Sequence, residues 1–230
     1  MARIQTVIET TSAALMAVAA ITLIYTVMNQ SRPQPAQAVS GLKLSLKQLR
    51  NVIGTGQSIV VAFSDFECPA CAAYERQTQP QVESSLLTSG RVRYAMVNYP
   101  LEKIHPLARK AAEAGECAAD QGKYWEMHRR MFSISPDLSV DRLVTEARKV
   151  GLDGRLFAEC LRTGQGVQRV AADVALGKQF GIAGTPTFFI GSVKGDVIDL
   201  KSRIPGSPSF NDLSSELRRL SGRSWLFSLF

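Results

Sequence analysis

The chain is poor in the side chains that bind metals and crosslink small scaffolds. Its 230 residues contain two histidines and four cysteines. Four cysteines are too few for a disulfide scaffold, and a zinc ribbon needs two close cysteine pairs where this chain has one. We interpret His105 and His128 as core or surface residues rather than catalytic ones. The sequence therefore predicts no metal site.

Long basic runs are also missing. No stretch contains five or more consecutive basic residues, and basic residues do not alternate with aromatic ones. The formal net charge of +7 therefore indicates a solvated basic surface, and we expect no nucleic-acid partner. Hydrophobic residues make up 45% and charged residues 20% of the chain, which is typical of a folded core. We expect one large domain, or one domain that carries an insertion.

Charge is absent from Thr10 to Ser31. A helix of this length would span about 33 Å, which is enough to cross a bilayer. We predict that residues 1–31 form an uncleaved N-terminal membrane anchor, and that the proline-containing residues 32–43 form a linker. A cleaved signal peptide is the alternative, because Ala36-Gln37-Ala38 offers a cleavage site and cleavage there would give a secreted protein.

The strongest local pattern is an apolar segment followed by two cysteines. The β-branched and aromatic residues 59–63 indicate a buried strand, and Pro69 suits the first turn of a helix. Cys68 would then lie at a helix N-terminus, where unpaired N–H groups and the helix dipole lower the pKa of a thiol from about 8.5. Cys71 lies one turn further on. One rigid element would thus carry a nucleophile and a resolving thiol.

The remaining elements are predicted from periodicity and capping residues. Pro80 should kink or divide the helix that begins at Cys68, because proline interrupts helical hydrogen bonding. In chain order we predict a short strand and helical turn within Gly41–Asn51, a strand at Ser58–Asp65, a helix from Cys68 into the high 80s kinked or divided at Pro80, a strand at Arg91–Asn98, helices from Pro106 to Phe180, a strand after Gly184-Thr185-Pro186, an edge strand at Gly195–Leu200 and a helix capped by Ser209 and Asp212.

These motifs, in this order, resemble the DsbA-like branch of the thioredoxin fold. The resemblance extends over about residues 44–220. It implies an α/β thioredoxin fold with a helical domain inserted at about residues 105–181. The N-terminal anchor and an apolar C-terminal tail at residues 221–230 lie outside the resemblance. The matching segments are Phe63-Ser64-Asp65-Phe66-Glu67-Cys68-Pro69-Ala70-Cys71, Ile104-His105-Pro106, the segment from Glu116 to His128, and Gly184-Thr185-Pro186-Thr187-Phe188-Phe189-Ile190.

The resemblance also implies residue roles. Cys68 would be the exposed sulfur that attacks or is attacked, and Cys71 would resolve the mixed disulfide. Pro186 would follow a cis peptide bond, which for proline costs only about 0.5–1 kcal/mol. The backbone of Thr185 would pair with the bound substrate chain. A redox-active disulfide of this kind implies no cofactor.

Relatives of this type carry a second disulfide away from the active site. Cys117 and Cys160 would form it here, and two buried free thiols are the alternative.

Strongly oxidising members of the family have a histidine before the second cysteine, where this chain has Ala70. The Glu67 carboxylate would also disfavour a Cys68 thiolate if it lay close. We therefore predict a reduction potential between roughly −270 and −120 mV.

The resemblance implies an extracytoplasmic thiol–disulfide oxidoreductase that supports disulfide formation in reduced secreted or periplasmic proteins. A membrane quinone-linked thiol oxidase would reoxidise it. One alternative is a reductase or isomerase kept reduced by a membrane electron donor. Another is a thioredoxin-fold metallochaperone or holding chaperone. No histidine or methionine lies between Asp65 and Gln81, which argues against the metallochaperone.

Overall fold

The computed structural model describes residues 16–22 and 34–222. The chain divides into two units, residues 1–32 and 33–230, and residues 16–22 of the first unit are helical. Most of the predicted membrane anchor and the tail from residue 223 lie outside the described residues. Among the residues that are described, no helix is both long and apolar enough to cross a membrane.

A mixed sheet of seven strands forms the centre of the described part of the second unit. The strands are β1 (Gln37–Ala38), β2 (Lys43–Ser45), β3 (Asn51–Gly54), β4 (Ser58–Ser64), β5 (Val92–Asn98), β6 (Thr187–Lys194) and β7 (Val197–Pro205). They follow the order β1–β7–β6–β4–β5–β3, and β2 also pairs with β7. β4 runs parallel to β5 and antiparallel to β6, so it occupies the middle of the sheet.

Helices cover the sheet and form a block between β5 and β6. The α-helices are α1 (Pro69–Gln77), α2 (Gln79–Gln81), α3 (Ala108–Ala119), α4 (Tyr124–Ile134), α5 (Val140–Lys149), α6 (Gly154–Thr163), α7 (Val167–Gln179) and α8 (Phe210–Ser221). A 3₁₀ turn (Leu46–Gln48) precedes β3, and α2 continues directly into a π-helical segment (Val82–Leu87). The predicted thioredoxin topology and the helical stretch after Pro106 are therefore present.

Both faces of β4 are buried. Successive side chains of a strand point to opposite faces, and Val61 and Phe63 pack on one face with Phe180. Val60 packs on the other face, in a cluster that includes Leu213 of α8. Full burial of such side chains contributes roughly 1.5–3 kcal/mol each. The end of β4 is therefore a firm base for the cysteines that follow it.

The helical block has its own core, and this core extends to the first two cysteines of the chain. Cys68 and Cys71 belong to the same buried cluster as Met127 and Phe132 of α4. Within the block, Cys117 of α3 and Cys160 of α6 form a disulfide with a Cα–Cα distance of 5.8 Å. The cysteine pair at residues 68–71 thus lies where the sheet and the helical block meet.

Two predictions about the edge of the sheet are wrong. Part of the predicted linker at residues 32–43 forms β1, which pairs with β7. The strand predicted at Gly195–Leu200 is longer than expected and is not an edge, because both β1 and β2 cover it. Unpaired N–H and C=O groups on an edge strand favour such covering, and short pairing segments leave little periodicity in a sequence.

Two predictions about the helices agree with the structure. The helix after Cys68 divides at Thr78, and Pro80 occupies an early position of α2 where a missing N–H group costs little. At the start of α8, Ser209 and Asp212 form the predicted reciprocal cap. These two local predictions are confirmed because each depends on residues only a few positions apart.

We predict that replacing both Cys117 and Cys160 by serine lowers the free energy of unfolding by about 4 kcal/mol, the chain-entropy cost of the 43-residue separation. Denaturant unfolding monitored by circular dichroism measures this change. Mass analysis of the unreduced wild type should find neither cysteine alkylated. Two alkylated thiols at these positions would contradict the crosslink.

Candidate active site

Cys68 lies at the junction of a short turn and α1. The backbone N–H of Cys68 donates to the carbonyl oxygen of Asp65 at 3.2 Å, which closes the turn after β4. Cys68 is the N-cap residue of α1, and Pro69 follows in the first turn. Its side chain therefore faces the unpaired N–H groups of a helix start, as the sequence predicts.

The loop before β6 lies against this cysteine. The Thr185–Pro186 peptide bond is cis, and Cys68 in its protonated form donates to the Thr185 carbonyl oxygen at 3.4 Å. From the other side, the hydroxyl of Ser207 donates to the carbonyl oxygen of Ala70 at 2.7 Å. The structure thus brings together the two cysteines and the Thr185–Pro186 pair that the sequence singled out.

The two thiols have opposite environments. A hydrogen bond from the Cys71 thiol lowers the pKa of Cys68 to about 6, although burial opposes this, and hydrogen bonds at Thr185, Cys71 and Ala70 lower it further. Burial raises the pKa of Cys71 well above its usual value, and Cys71 is completely buried whereas Cys68 retains a 5% exposed surface. At neutral pH Cys68 is therefore largely a thiolate, and Cys71 holds its proton.

The Glu67 carboxylate, which would disfavour a Cys68 thiolate if it lay close, is bound elsewhere. Its Oε2 accepts a hydrogen bond of 2.7 Å from the backbone N–H of Leu107. That contact directs the carboxylate towards the segment that leads into α3. The cause is a backbone donor 40 residues away in sequence, which the sequence pattern does not reveal.

Asp65 is a positioning residue that the sequence analysis missed. Its side chain is fully buried, and its two oxygens accept hydrogen bonds from the N–H groups of Glu67 and Leu101 at 2.8 Å each. The Nδ1 atom of His105 lies 2.8 Å from the same carboxylate, so His105 is a structural partner here. The local signal that could have identified Asp65 is an aspartate followed two residues later by a backbone N–H of a turn, a pair that commonly forms a hydrogen bond.

The second histidine, His128, is fully buried on α4 and lies beside Glu75. Within residues 16–22 and 34–222, no group of three or more histidine, cysteine, aspartate or glutamate side chains is placed to bind a metal ion.

A family model described as Thioredoxin matches residues 52–202, which is more than half of the chain. Among curated proteins, one described as Na(+)/H(+) antiporter NhaA 3 from Salinispora tropica is 40% identical over 131 residues, or 57% of this chain and 20% of that protein. The chain thus spans about a fifth of the length of such relatives, and the antiport activity in the name belongs to those proteins.

Solved structures share the fold. BdbD from Bacillus subtilis in its oxidised form has a TM-score of 0.66 and 22% identity, with 81% of this chain and all of that chain covered. A thioredoxin-like oxidoreductase from Silicibacter pomeroyi has a TM-score of 0.61 and 25% identity over 75% and 95% of the two chains. Wolbachia pipientis alpha-DsbA1 has a TM-score of 0.64 and 17% identity over 76% and 92%.

The structural matches are to proteins of the DsbA-like type, and the family match covers most of the sheet and the whole helical block. The predicted DsbA-like thioredoxin fold is therefore confirmed. The predicted oxidoreductase class agrees with the relatives found.

We predict that the alkylation rate of Cys68 in the reduced protein follows a titration with a midpoint near pH 6, because the thiolate is the reacting form. The Cys71→Ala variant lacks the thiol that donates to Cys68, so its midpoint should move upward. Stopped-flow alkylation between pH 4 and pH 9 measures both. A midpoint for the variant at or below that of the wild type would contradict this assignment.

Proposed function

Because this chain belongs to the thioredoxin family, we propose that it is an extracytoplasmic oxidoreductase that donates a Cys68–Cys71 disulfide to cysteines of secreted or periplasmic proteins. The observation that carries the proposal is the pairing of a low-pKa Cys68 at a helix start with a buried, protonated Cys71. A stable Cys68 thiolate favours the reduced form, which makes the disulfide a better oxidant.

The exchange uses two thiolate attacks. A substrate thiolate attacks the Cys68 sulfur, the Cys68–Cys71 bond breaks, and Cys71 leaves with the electron pair and takes up a proton. A second substrate thiolate then attacks the substrate sulfur of the mixed disulfide and displaces Cys68 as a thiolate. The carbonyl and N–H groups next to the cis Thr185–Pro186 bond would pair with the substrate backbone, since they lie beside Cys68.

The magnitude of the Cys68 pKa supports an intermediate oxidant. The value of about 6 lies between about 3.5 for the strongly oxidising DsbA and about 7 for thioredoxin. No titratable side chain separates the two cysteines, because the intervening residues are Pro69 and Ala70. Hydrogen bonds rather than a neighbouring cation therefore set the thiolate stability.

We propose the cellular compartment of the catalytic domain from the chemistry of its second cysteine pair. A disulfide between Cys117 and Cys160 is favoured in an oxidising compartment, so the catalytic domain would lie in the periplasm or extracellular space. The predicted helix at residues 1–31 would anchor it to the membrane. Cleavage after Ala38 would remove β1 from the sheet, which favours retention of this segment. A membrane quinone-linked thiol oxidase would supply the next disulfide, and no cofactor is proposed.

We predict a reduction potential of the full chain in detergent well above about −200 mV against glutathione, as an oxidant requires. Mass analysis of the Cys68–Cys71 pair at each redox buffer ratio measures it, and Cys68→Ser is the control. A value near about −270 mV would instead favour a reductase or isomerase kept reduced by a membrane donor.

A further inference from the structure

Residues 101–107 form a loop that links β5 to the helical block. The N–H groups of Ile104 and His105 both donate to the carbonyl oxygen of Leu101, at 2.9 and 3.0 Å, so the loop turns tightly before α3 begins at Ala108. The loop lies against the turn after β4, to which its hydrogen bonds reach. The exchange described above gives this loop no role, although the turn that it contacts carries the reacting cysteine.

In the described part of the chain, three hydrogen bonds join this loop to the turn. Oδ2 of Asp65 accepts the N–H of Leu101 at 2.8 Å, and Oε2 of Glu67 accepts the N–H of Leu107 at 2.7 Å. The third bond comes from a side chain, because Nδ1 of His105 lies 2.8 Å from the same Oδ2 atom. Since a carboxylate oxygen only accepts, Nδ1 is the donor. The imidazole is 15% exposed and the Asp65 side chain is fully buried, so this bond is largely shielded from water and is strengthened by that shielding.

The backbone of Asp65 contacts both cysteines. Its carbonyl oxygen accepts the N–H of Cys68 at 3.2 Å, and its own N–H is hydrogen-bonded to the sulfur of Cys71. Its carboxylate also accepts the N–H of Glu67 at 2.8 Å, which closes the turn directly before Cys68. A displacement of Asp65 would therefore change the surroundings of both sulfurs.

The hydrogen bonds at the two sulfurs tolerate little displacement. The bond from Cys71 makes the largest contribution to the lowered pKa of Cys68, and the Thr185 carbonyl oxygen lies 3.4 Å from the Cys68 sulfur. Hydrogen bonds weaken steeply as their geometry departs from the favoured range. A turn that is held firmly at Asp65 therefore keeps Cys68 reactive, and a looser turn would raise its pKa.

We propose that His105 is a positioning residue for disulfide exchange, and that it acts through Asp65 to hold Cys68 and Cys71 at the separation that their hydrogen bond requires. The inference rests on the proposed function. The influence of His105 passes through the carboxylate of Asp65 to the backbone groups that contact the two cysteines. No proton moves between His105 and either sulfur in this role, so no co-reactant is needed.

The two other ties make this role separable from folding. Without the His105 side chain, the N–H groups of Leu101 and Leu107 still donate to Asp65 and Glu67, so the loop stays attached to the turn. The buried carboxylate then loses one of its donors, and its position is less strictly fixed. The effect of a substitution at His105 should therefore fall on the thiol chemistry more than on the fold.

The test compares His105→Leu, His105→Asn and Ile104→Ala in the full chain in detergent. Leucine has no donor, whereas the amide nitrogen of asparagine lies close to the position of Nδ1 and can donate to Asp65. Ile104→Ala is the matched control, because the neighbouring side chain is 69% exposed and its truncation leaves the three bonds in place. The alkylation rate of Cys68 in the reduced protein, measured between pH 4 and pH 9, gives a midpoint for each variant.

We expect the midpoint of His105→Leu to rise by about one pH unit from the wild-type value of about 6. At pH 7 such a rise lowers the equilibrium constant for oxidation of glutathione by about fivefold. His105→Asn and Ile104→Ala should have midpoints within about 0.3 unit of wild type. A His105→Leu variant with the wild-type midpoint would overturn the proposal even if it were less stable, as would a His105→Asn variant shifted as far as the leucine variant.

A double-mutant cycle tests the route through Asp65. If His105 acts through this carboxylate, Asp65→Asn combined with His105→Leu should have the same midpoint as Asp65→Asn alone. Shifts that add in the double variant would overturn the assigned route. Circular dichroism checks that each variant is folded, and if Asp65→Asn does not fold, the comparison of leucine with asparagine at position 105 decides.

The alkylation readout needs no protein substrate, so it separates this inference from the proposed function. A wild type that fails to oxidise reduced peptides, but whose Cys68 midpoint rises in His105→Leu and is restored in His105→Asn, would contradict the proposed function alone. A wild type that oxidises peptides, with an unchanged midpoint in His105→Leu, would contradict the role of His105 alone.

Discussion

The hydrogen bond from the Cys71 thiol to the Cys68 sulfur is the interaction on which the chemistry of this protein depends. It is the largest contribution to the lowered pKa of Cys68, and it requires Cys71 to remain protonated. Burial enforces that protonation. A single structural difference, the exposure of one sulfur and the burial of the other, therefore makes two identical side chains on one helix turn perform opposite tasks.

Three separate parts of the chain hold this arrangement together. The end of β4 fixes the first residue of the turn, the cis loop before β6 supplies the Thr185 carbonyl, and the segment at residues 101–107 is tied to the turn by carboxylates of Asp65 and Glu67. The last two ties join residues that are far apart in sequence. The cysteine pair is thus positioned by the tertiary structure, and α1 alone would not reproduce its properties.

Features that depend on neighbouring residues could be predicted from the sequence, whereas features that depend on contacts between distant residues could not. The start of α1 at Pro69 and the cap at Ser209 depend on neighbouring residues, and both were foreseen. The strand β1 and the role of Asp65 were not, because two-residue pairing and a carboxylate that binds the N–H of Leu101 have no periodic signal. Glu75 and His128 lie 53 positions apart, and their contact exists only because α1 packs on α4. The sequence interpretation of His128 as a core or surface residue gave no indication of its partner Glu75.

The active-site dipeptide and the packing behind it both affect the charge that the two sulfurs carry during exchange. Pro69 and Ala70 place no charge between the cysteines, so the dipeptide itself cannot neutralise a second negative charge during exchange. Burial instead raises the pKa of Cys71, which keeps that second charge from forming on the inner sulfur. The cluster that buries Cys71 includes Met127, Met131 and Phe132 of α4. The inserted helices therefore contribute to the redox chemistry through burial as well as to the stability of the fold.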